Sequence, residues 1–270
     1  MRTIRRALAV LLAWSGLLSA GAALAAGGSA VGEISLLPPA TRVAEDLYRL
    51  HTTMLILCVL IFVGVSGVMF YSIFAYRRAK GRDASHFHKS TTIEIIWTAV
   101  PFVIVVLMAL PATRAIIAMS DTSDADLTIR VTGYEGKWGY DYVQGPGEGI
   151  RLFSTLVAPH GAASGSPSGQ EVDNPLVVPV DRKIRIIAAG GDAVHAWYVP
   201  AFGMKPDAMS GSVQDTWFRA DRVGTYRGFC AELCGKAHAD MPVVVEVLSD
   251  DDYAKWVDGE KTKGPAAAGR

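Results

Sequence analysis

Two uncharged apolar runs, residues 54–74 and 95–113, restrict the folds open to this chain more than any other feature. Each approaches the ~20 residues a helix needs to cross the hydrocarbon core of a bilayer. A helix buried in a soluble protein is rarely apolar on every face over such a length. Pro101 and Pro111 lie in the second run. Membrane helices tolerate proline because neighbouring helices and small local adjustments satisfy the freed backbone groups. The two runs therefore predict a transmembrane helix hairpin.

Charge predicts its orientation. Between the runs stand Arg77, Arg78, Lys80, Arg82 and Lys89 against one acid, Asp83. A Lys/Arg excess in a short loop marks the cytoplasmic side, so the hairpin begins and ends outside. The N-terminus agrees. Arg2, Arg5 and Arg6 precede an apolar stretch, 7–18, and Ala23-Leu24-Ala25 offers a small-x-small cleavage site. That is the pattern of a secretory signal peptide. Over the whole chain 26 Lys+Arg balance 26 Asp+Glu, without the basic excess of a nucleic-acid partner. The expected organisation is a signal peptide at 1–25, an outer segment at 26–50, and the hairpin at 51–120, with spans near 54–75 and 95–113. A β-domain at 121–250 and a C-terminal helix with a disordered tail at 251–270 follow. The expected location is a bacterial inner membrane, multi-pass, with both ends and the β-domain periplasmic.

Beyond Met119 the period changes. Short β-like runs fall at 127–132, 138–143, 150–156, 176–180, 183–188, 196–199, 216–220, 225–229 and 243–248, punctuated by Gly, Pro, Asp or Asn. Many short strands at this spacing predict an all-β sandwich or barrel. Residues 159–169, rich in Gly, Ser and Ala, read as a flexible surface insertion that leaves His160 without a role. Residues 250–257 read as a closing helix and 261–270 as disordered.

The chemistry gathers in one stretch. Residues 226–241 hold Cys230, Cys234, His238 and Met241, with Glu232 between the thiols. These soft and borderline donors suit copper. Strand-like residues on both sides place them on a loop at the end of a sheet, where a rigid scaffold can hold a site. One more ligand is expected from elsewhere, and His195, which follows one strand and opens another, is the candidate. Cys58 lies in the apolar run, leaving Cys230 and Cys234 as the pair of interest. A disulfide is one reading in an oxidising compartment. A closed zinc site is another, though Met is a poor zinc ligand. A one-copper site of the blue type uses a single Cys, one fewer than here. Two bridging thiolates, one His on each metal, and two weak outer ligands (Met241 and a loop carbonyl) suit two coppers and electron transfer.

Glu94, at the cytoplasmic start of the second span, reads first as a helix N-terminal carboxylate stabilised by the dipole, and second as a proton-path group. Trp97 is open between interface anchor and packing.

The run Cys230-x-Glu232-x-Cys234-x-x-x-His238-x-x-Met241 resembles the binuclear copper A motif of cytochrome c oxidase subunit II. Asp192-Ala193-Val194-His195-Ala196-Trp197-Tyr198-Val199-Pro200 resembles the family's D-x-x-H-x-x-x-x-P segment. Glu94-Ile95-Ile96-Trp97-Thr98 and Leu110-Pro111-Ala112-Thr113-Arg114 resemble its second span. The resemblance implies a cupredoxin-like β-domain outside the membrane that takes electrons from cytochrome c and passes them to haem in subunit I, where oxygen is reduced and protons are pumped. Subunits I and III would be partners beside the lipid bilayer. Cys230 and Cys234 would bridge both coppers, His195 and His238 would each take one, and Met241 and the Glu232 carbonyl would be axial ligands. The Glu232 carboxylate would bind magnesium at the subunit I interface. Glu94 would mark a proton-channel entrance, reversing the reading from physics alone.

Two departures stand out. The family's aromatic segment G-x-Q-W-x-W-x-Y-x-Y reads here Gly133-Tyr134-Glu135-Gly136-Lys137-Trp138-Gly139-Tyr140-Asp141-Tyr142. Gly136 replaces the indole that receives the electron in the family. Trp138 and Tyr134 become the candidates for that role, with Tyr140 also open, while Tyr140 and Tyr142 read as packing. Ser210-Gly211-Ser212 replaces the family's Pro-Gly-Arg. A quinol oxidase subunit would lack the copper ligands, and the membrane hairpin does not fit nitrous oxide reductase. The reading from a different class is a membrane-tethered copper carrier without redox turnover.

Overall fold

The computed structural model describes residues 36–77, 89–157 and 171–263. The expected signal peptide, most of the basic linker, and the 159–169 insertion with His160 lie outside the described residues.

Helix α1 runs Arg42–Ala75 and α2 runs Thr91–Ser120. Both extend past the apolar runs. At 34 residues, α1 is about 50 Å long at 1.5 Å per residue, against a hydrocarbon core of about 30 Å. Its first turns therefore rise beyond the apolar zone. Thr41 starts it by accepting the Ala44 N–H at 3.0 Å, and Ala40 and Thr41 are buried. Along both spans the large apolar side chains, such as Phe62, Val68, Phe102 and Val105, are exposed. Such surfaces suit lipid rather than water.

The β-domain is built from ten strands among the described residues, in two five-stranded sheets. The first has the order β3-β2-β1-β5-β8, from β1 (Leu127–Tyr134), β2 (Lys137–Gln144), β3 (Arg151–Thr155), β5 (Ile184–Gly190) and β8 (Gln214–Phe218). The second has the order β4-β10-β9-β6-β7, from β4 (Leu176–Pro179), β6 (His195–Tyr198), β7 (Asp207–Ala208), β9 (Gly224–Cys230) and β10 (Pro242–Leu248). Strand β1 runs parallel to β5, and β10 parallel to β4; the other pairs are antiparallel. Alternation sets the core: Ile184, Ile186 and Ala188 of β5 turn inward while Arg185 and Ile187 do not. Leu127, Ile129, Trp197, Phe218, Val243 and Val245 join them. This is the cupredoxin-like sandwich that the strand pattern and the resemblance predict.

Each expected strand run coincides with an observed strand. The two-residue β7 was not among them. Helix α3 (Asp250–Lys263) corrects the expected tail, because residues 261–263 are helical rather than disordered. Asp250, Asp251 and Asp252 at its start and Lys261 and Lys263 at its end complement the helix dipole. Tyr253 and Val257 bury its inner face.

The hairpin is fastened to the sandwich at both helices. Ala40 N donates to Ala201 O at 2.8 Å, and Asp221 N donates to Ala40 O at 3.0 Å. Thr41 Oγ1 donates to Phe202 O at 2.9 Å. Gly203, at φ +71°, lets α1 approach: a Cβ there would fall 2.8 Å from Ala44 Cα. On α2, Trp217 Nε1 donates to Ala118 O at 2.9 Å.

Candidate metal centre

Strand pairing assembles the site. Strands β6 and β9 are antiparallel neighbours with Trp197 opposite Cys230, which brings His195, the first residue of β6, to the end of β9. The loop after Cys230 is pinned at both ends. Cys230 N donates to Met241 O at 3.0 Å, and Ala231 N donates to Ala196 O at 3.0 Å. Within it a 3-10 turn, His238–Asp240, returns the chain to β10.

The donors converge. Cys230 Sγ and Cys234 Sγ are 3.7 Å apart. His195 Nδ1 is 3.9 Å from Cys230 Sγ, and His238 Nδ1 is 3.6 Å from Cys234 Sγ. Met241 Sδ is 3.6 Å from Cys234 Sγ, and the Glu232 carbonyl oxygen is 3.3 Å from Cys230 Sγ. Two donors bound about 2.0–2.3 Å from one ion at tetrahedral angles are roughly 3.3–3.8 Å apart. The cluster thus has the spacing of donors that share metal. No disulfide joins the two thiols. Two thiolates, two imidazoles and a thioether form a set that soft or borderline ions such as copper fit, and magnesium or calcium do not.

His195 is fully buried, and its orientation is fixed. Nε2 lies 2.8 Å from Asp192 Oδ1, so Nε2 carries the proton and Nδ1 turns its lone pair to the sulfurs. A carboxylate behind a ligating imidazole sets its tautomer and raises its basicity. Asp192 also accepts from Glu135 N at 2.7 Å and Ala193 N at 2.6 Å. The His195 contact, followed by these backbone bonds, holds the Asp192 carboxyl below the usual carboxylate range. Burial and the neighbouring Cys230 push the Cys234 thiol up to about 12 in the metal-free protein.

Gly133 makes room for the imidazole: a Cβ there would sit 2.6 Å from His195 Cγ. Neither Asp192 nor Gly133 was assigned a role from sequence. The available signals were an acid three residues before the histidine and a glycine inside a strand, which often marks close approach by another group.

The β1–β2 hairpin leans on the ligand loop. Tyr134 pairs with Lys137, leaving Glu135-Gly136 as a two-residue turn, and Gly136 has φ +78°. Such turns call for positive φ, which Gly supplies without strain. A residue with a side chain would be strained in this conformation at 136. Trp138 is fully buried, its ring 5.9 Å from that of His195. Tyr134 is half-buried and meets Phe153 edge-on at 5.9 Å. Tyr140 and Tyr142 pack the core: Tyr142 Oη donates to Val177 O at 2.7 Å, and Tyr140 Oη accepts from Trp197 Nε1 at 3.4 Å. The Glu232 side chain is exposed, and its carbonyl faces the thiols. Glu94 lies in the first turn of α2, apart from the cluster. Ser210 and Ser212 lie on the exposed connection between β7 and β8.

Comparison with known proteins gives a concordant result. Residues 127–248 match the family described as cytochrome C oxidase subunit II, periplasmic domain, and residues 29–114 match its transmembrane domain. Cytochrome c oxidase subunit 2 of Cyanidium caldarium is 33% identical over 228 residues, covering 83% of this chain and 89% of that one. The subunit 2 of Cereibacter sphaeroides is 32% identical over 239 residues, covering 82% and 78%. The crystal structure of the periplasmic domain of subunit II of cytochrome oxidase from Bradyrhizobium japonicum is 42% identical, with a TM-score of 0.47, covering 53% of this chain and 98% of that one.

Proposed function

This chain belongs to the cytochrome c oxidase subunit II family, and from that membership we propose that it is the electron-accepting subunit of a bacterial respiratory oxidase. It takes electrons from a cytochrome c at a binuclear copper centre and hands them to haem in subunit I, where oxygen is reduced to water and protons are translocated. The observation that carries this reading is the pair of thiols 3.7 Å apart, each facing an imidazole of its own.

Cys230, Cys234, His195 and His238 would hold the two ions, and Met241 and the Glu232 carbonyl would complete the donor set. Copper bound there supplies a one-electron redox couple. Asp192 keeps the His195 Nε2 proton and presents Nδ1. Burial of His195, Cys230 and Met241 keeps water from the centre. Strands β6 and β9 hold His195 and Cys230, and backbone bonds from Cys230 and Ala231 pin the loop that carries the other donors, so little needs to move when charge arrives. Trp138, edge-on to His195, and Tyr134, at the end of β1, are the candidates for the electron's way in. The exposed Glu232 carboxylate would be free to hold magnesium at the subunit I interface, and Glu94, in the first turn of α2, would serve at a proton-channel entrance. The signal peptide and the basic linker put the sandwich on the periplasmic side, with subunits I and III beside the hairpin.

Copper stoichiometry and the electron paramagnetic spectrum of the full chain test the proposal. Two coppers in a mixed-valence pair are expected, and Cys230→Ser should abolish that signal; its survival would sink the bridging assignment. Stopped-flow mixing with reduced cytochrome c tests turnover. Failure of every c-type donor to reduce the loaded protein would favour a copper carrier.

A further inference from the structure

Where α1 and α2 approach the sandwich, they part around a cleft of about 470 Å³, within the ~300–1,000 Å³ typical of small-ligand sites. Arg49 and Asp46 of α1 and Arg114 of α2 line it, together with Leu50, Met108 and Pro111. The apolar runs begin at Met54 and end at Thr113, so the two arginines stand where hydrocarbon gives way to headgroups. Met108 lies six positions before Arg114, about 9 Å deeper along the helix axis. The cleft is therefore cationic at its mouth and apolar at its base.

One of these two cations has an exposed carboxylate partner and the other has none among the described residues. Arg49 pairs at 2.6 Å only with Glu45, an exposed neighbour one turn away. Arg114 has no carboxylate partner among the described residues. Charged side chains at membrane depth are costly unless paired, and the planar fork of guanidinium matches a phosphate oxygen pair.

We propose that this cleft binds a glycerophospholipid, its phosphodiester between Arg49 and Arg114 and an acyl chain running along Leu50 and Pro111 towards Met108. Asp46 at the mouth pairs with an ammonium, which phosphatidylethanolamine carries and phosphatidylglycerol, whose headgroup beyond the phosphodiester is a neutral glycerol, lacks. The site therefore prefers phosphatidylethanolamine to phosphatidylglycerol. This inference is independent of the copper chemistry.

Native mass spectrometry of the delipidated oxidase complex, titrated with each lipid, tests it. One tightly held phosphatidylethanolamine is expected on the native chain, with phosphatidylglycerol weaker. The double variant Arg49→Gln/Arg114→Gln should weaken that binding tenfold or more, and Arg114→Lys by only a few-fold. Leu50→Trp, which fills the cleft beside Arg49 and leaves the charges intact, should weaken it as the double variant does. An unchanged copper spectrum in each variant verifies that the sandwich is folded. The proposal is overturned if the double variant and Leu50→Trp hold the lipid as the native chain does. It is also overturned if millimolar inorganic phosphate displaces the ligand, or if a density map of the complex places side chains of another subunit in the cleft.

Discussion

Asp192 Oδ1 lies 2.8 Å behind the His195 ring at Nε2, while Nδ1 on the opposite side of the same ring faces Cys230 Sγ at 3.9 Å. One exposed carboxylate thereby sets the proton and direction of a fully buried imidazole. Removing such a partner typically costs 10–100-fold in metal affinity. Asp192→Ala should weaken copper binding by about that factor with the sandwich intact, as read by competition against a chelator of known affinity.

Copper uptake should release protons. Burial holds the Cys234 thiol at about 12 without metal, so at neutral pH it is protonated, whereas the metal takes the thiolate. Apparent affinity should rise as pH rises from 6 to 9. Acidification of a weakly buffered solution on copper addition, absent in Cys234→Ser for that thiol's share, checks the sign.

Gly133→Ala puts a methyl 2.6 Å from His195 Cγ. Overpacking of this kind costs about 1–3 kcal/mol, and here the displaced group is a ligand. The variant should melt earlier and hold less than its full copper complement. Ala at Gly259, where a Cβ meets nothing within 4 Å, is the control that should lose neither.

Thr41→Ala removes both the cap on α1 and the bond to Phe202 O. Loss of a cap costs ~0.5–2 kcal/mol. The first turn of α1 should exchange its amide hydrogens faster, while strands β9 and β10 keep their protection.

The Arg182 contact lowers the Asp250 carboxyl below its ordinary value of 3.8. A lowered folded-state value stabilises the fold above the unfolded value, and that gain is lost as pH falls through the folded one. Asp250→Asn should therefore melt slightly below the native protein at pH 7. The difference should vanish at strongly acid pH. Both groups are exposed, so the effect is small.

Much of the fold was legible because alternation and apolar length are local signals. The run that became β5 alternates in burial from Ile184 to Ala188, and the continuous valines of β10 are buried together, the short apolar run of a core strand. Strand β7 has two residues, too few to show a period, and exists because Asp207 and Ala208 pair with β6. The N-terminal turns of α1 were missed because they are polar and held by Thr41 and by contacts with residues 201–203, far away in sequence. The side chains that converge on the proposed centre were visible as one loop plus one distant histidine. The void over Gly133 was not, because the chain gives no local hint that residue 195 will stand there. Gly136 read as a missing indole, and its positive φ gives the chain a backbone reason for that glycine.

The bonds from Ala40, Thr41 and Trp217 turn what could be a tether into a bracket. A tethered domain would wander over its anchor, and each docking partner would have to arrest that wandering at an entropic cost. A bracketed one stands at a single height and bearing. The hairpin then works as a lever: a tilt of α1 or α2 in the bilayer carries the ligand loop with it.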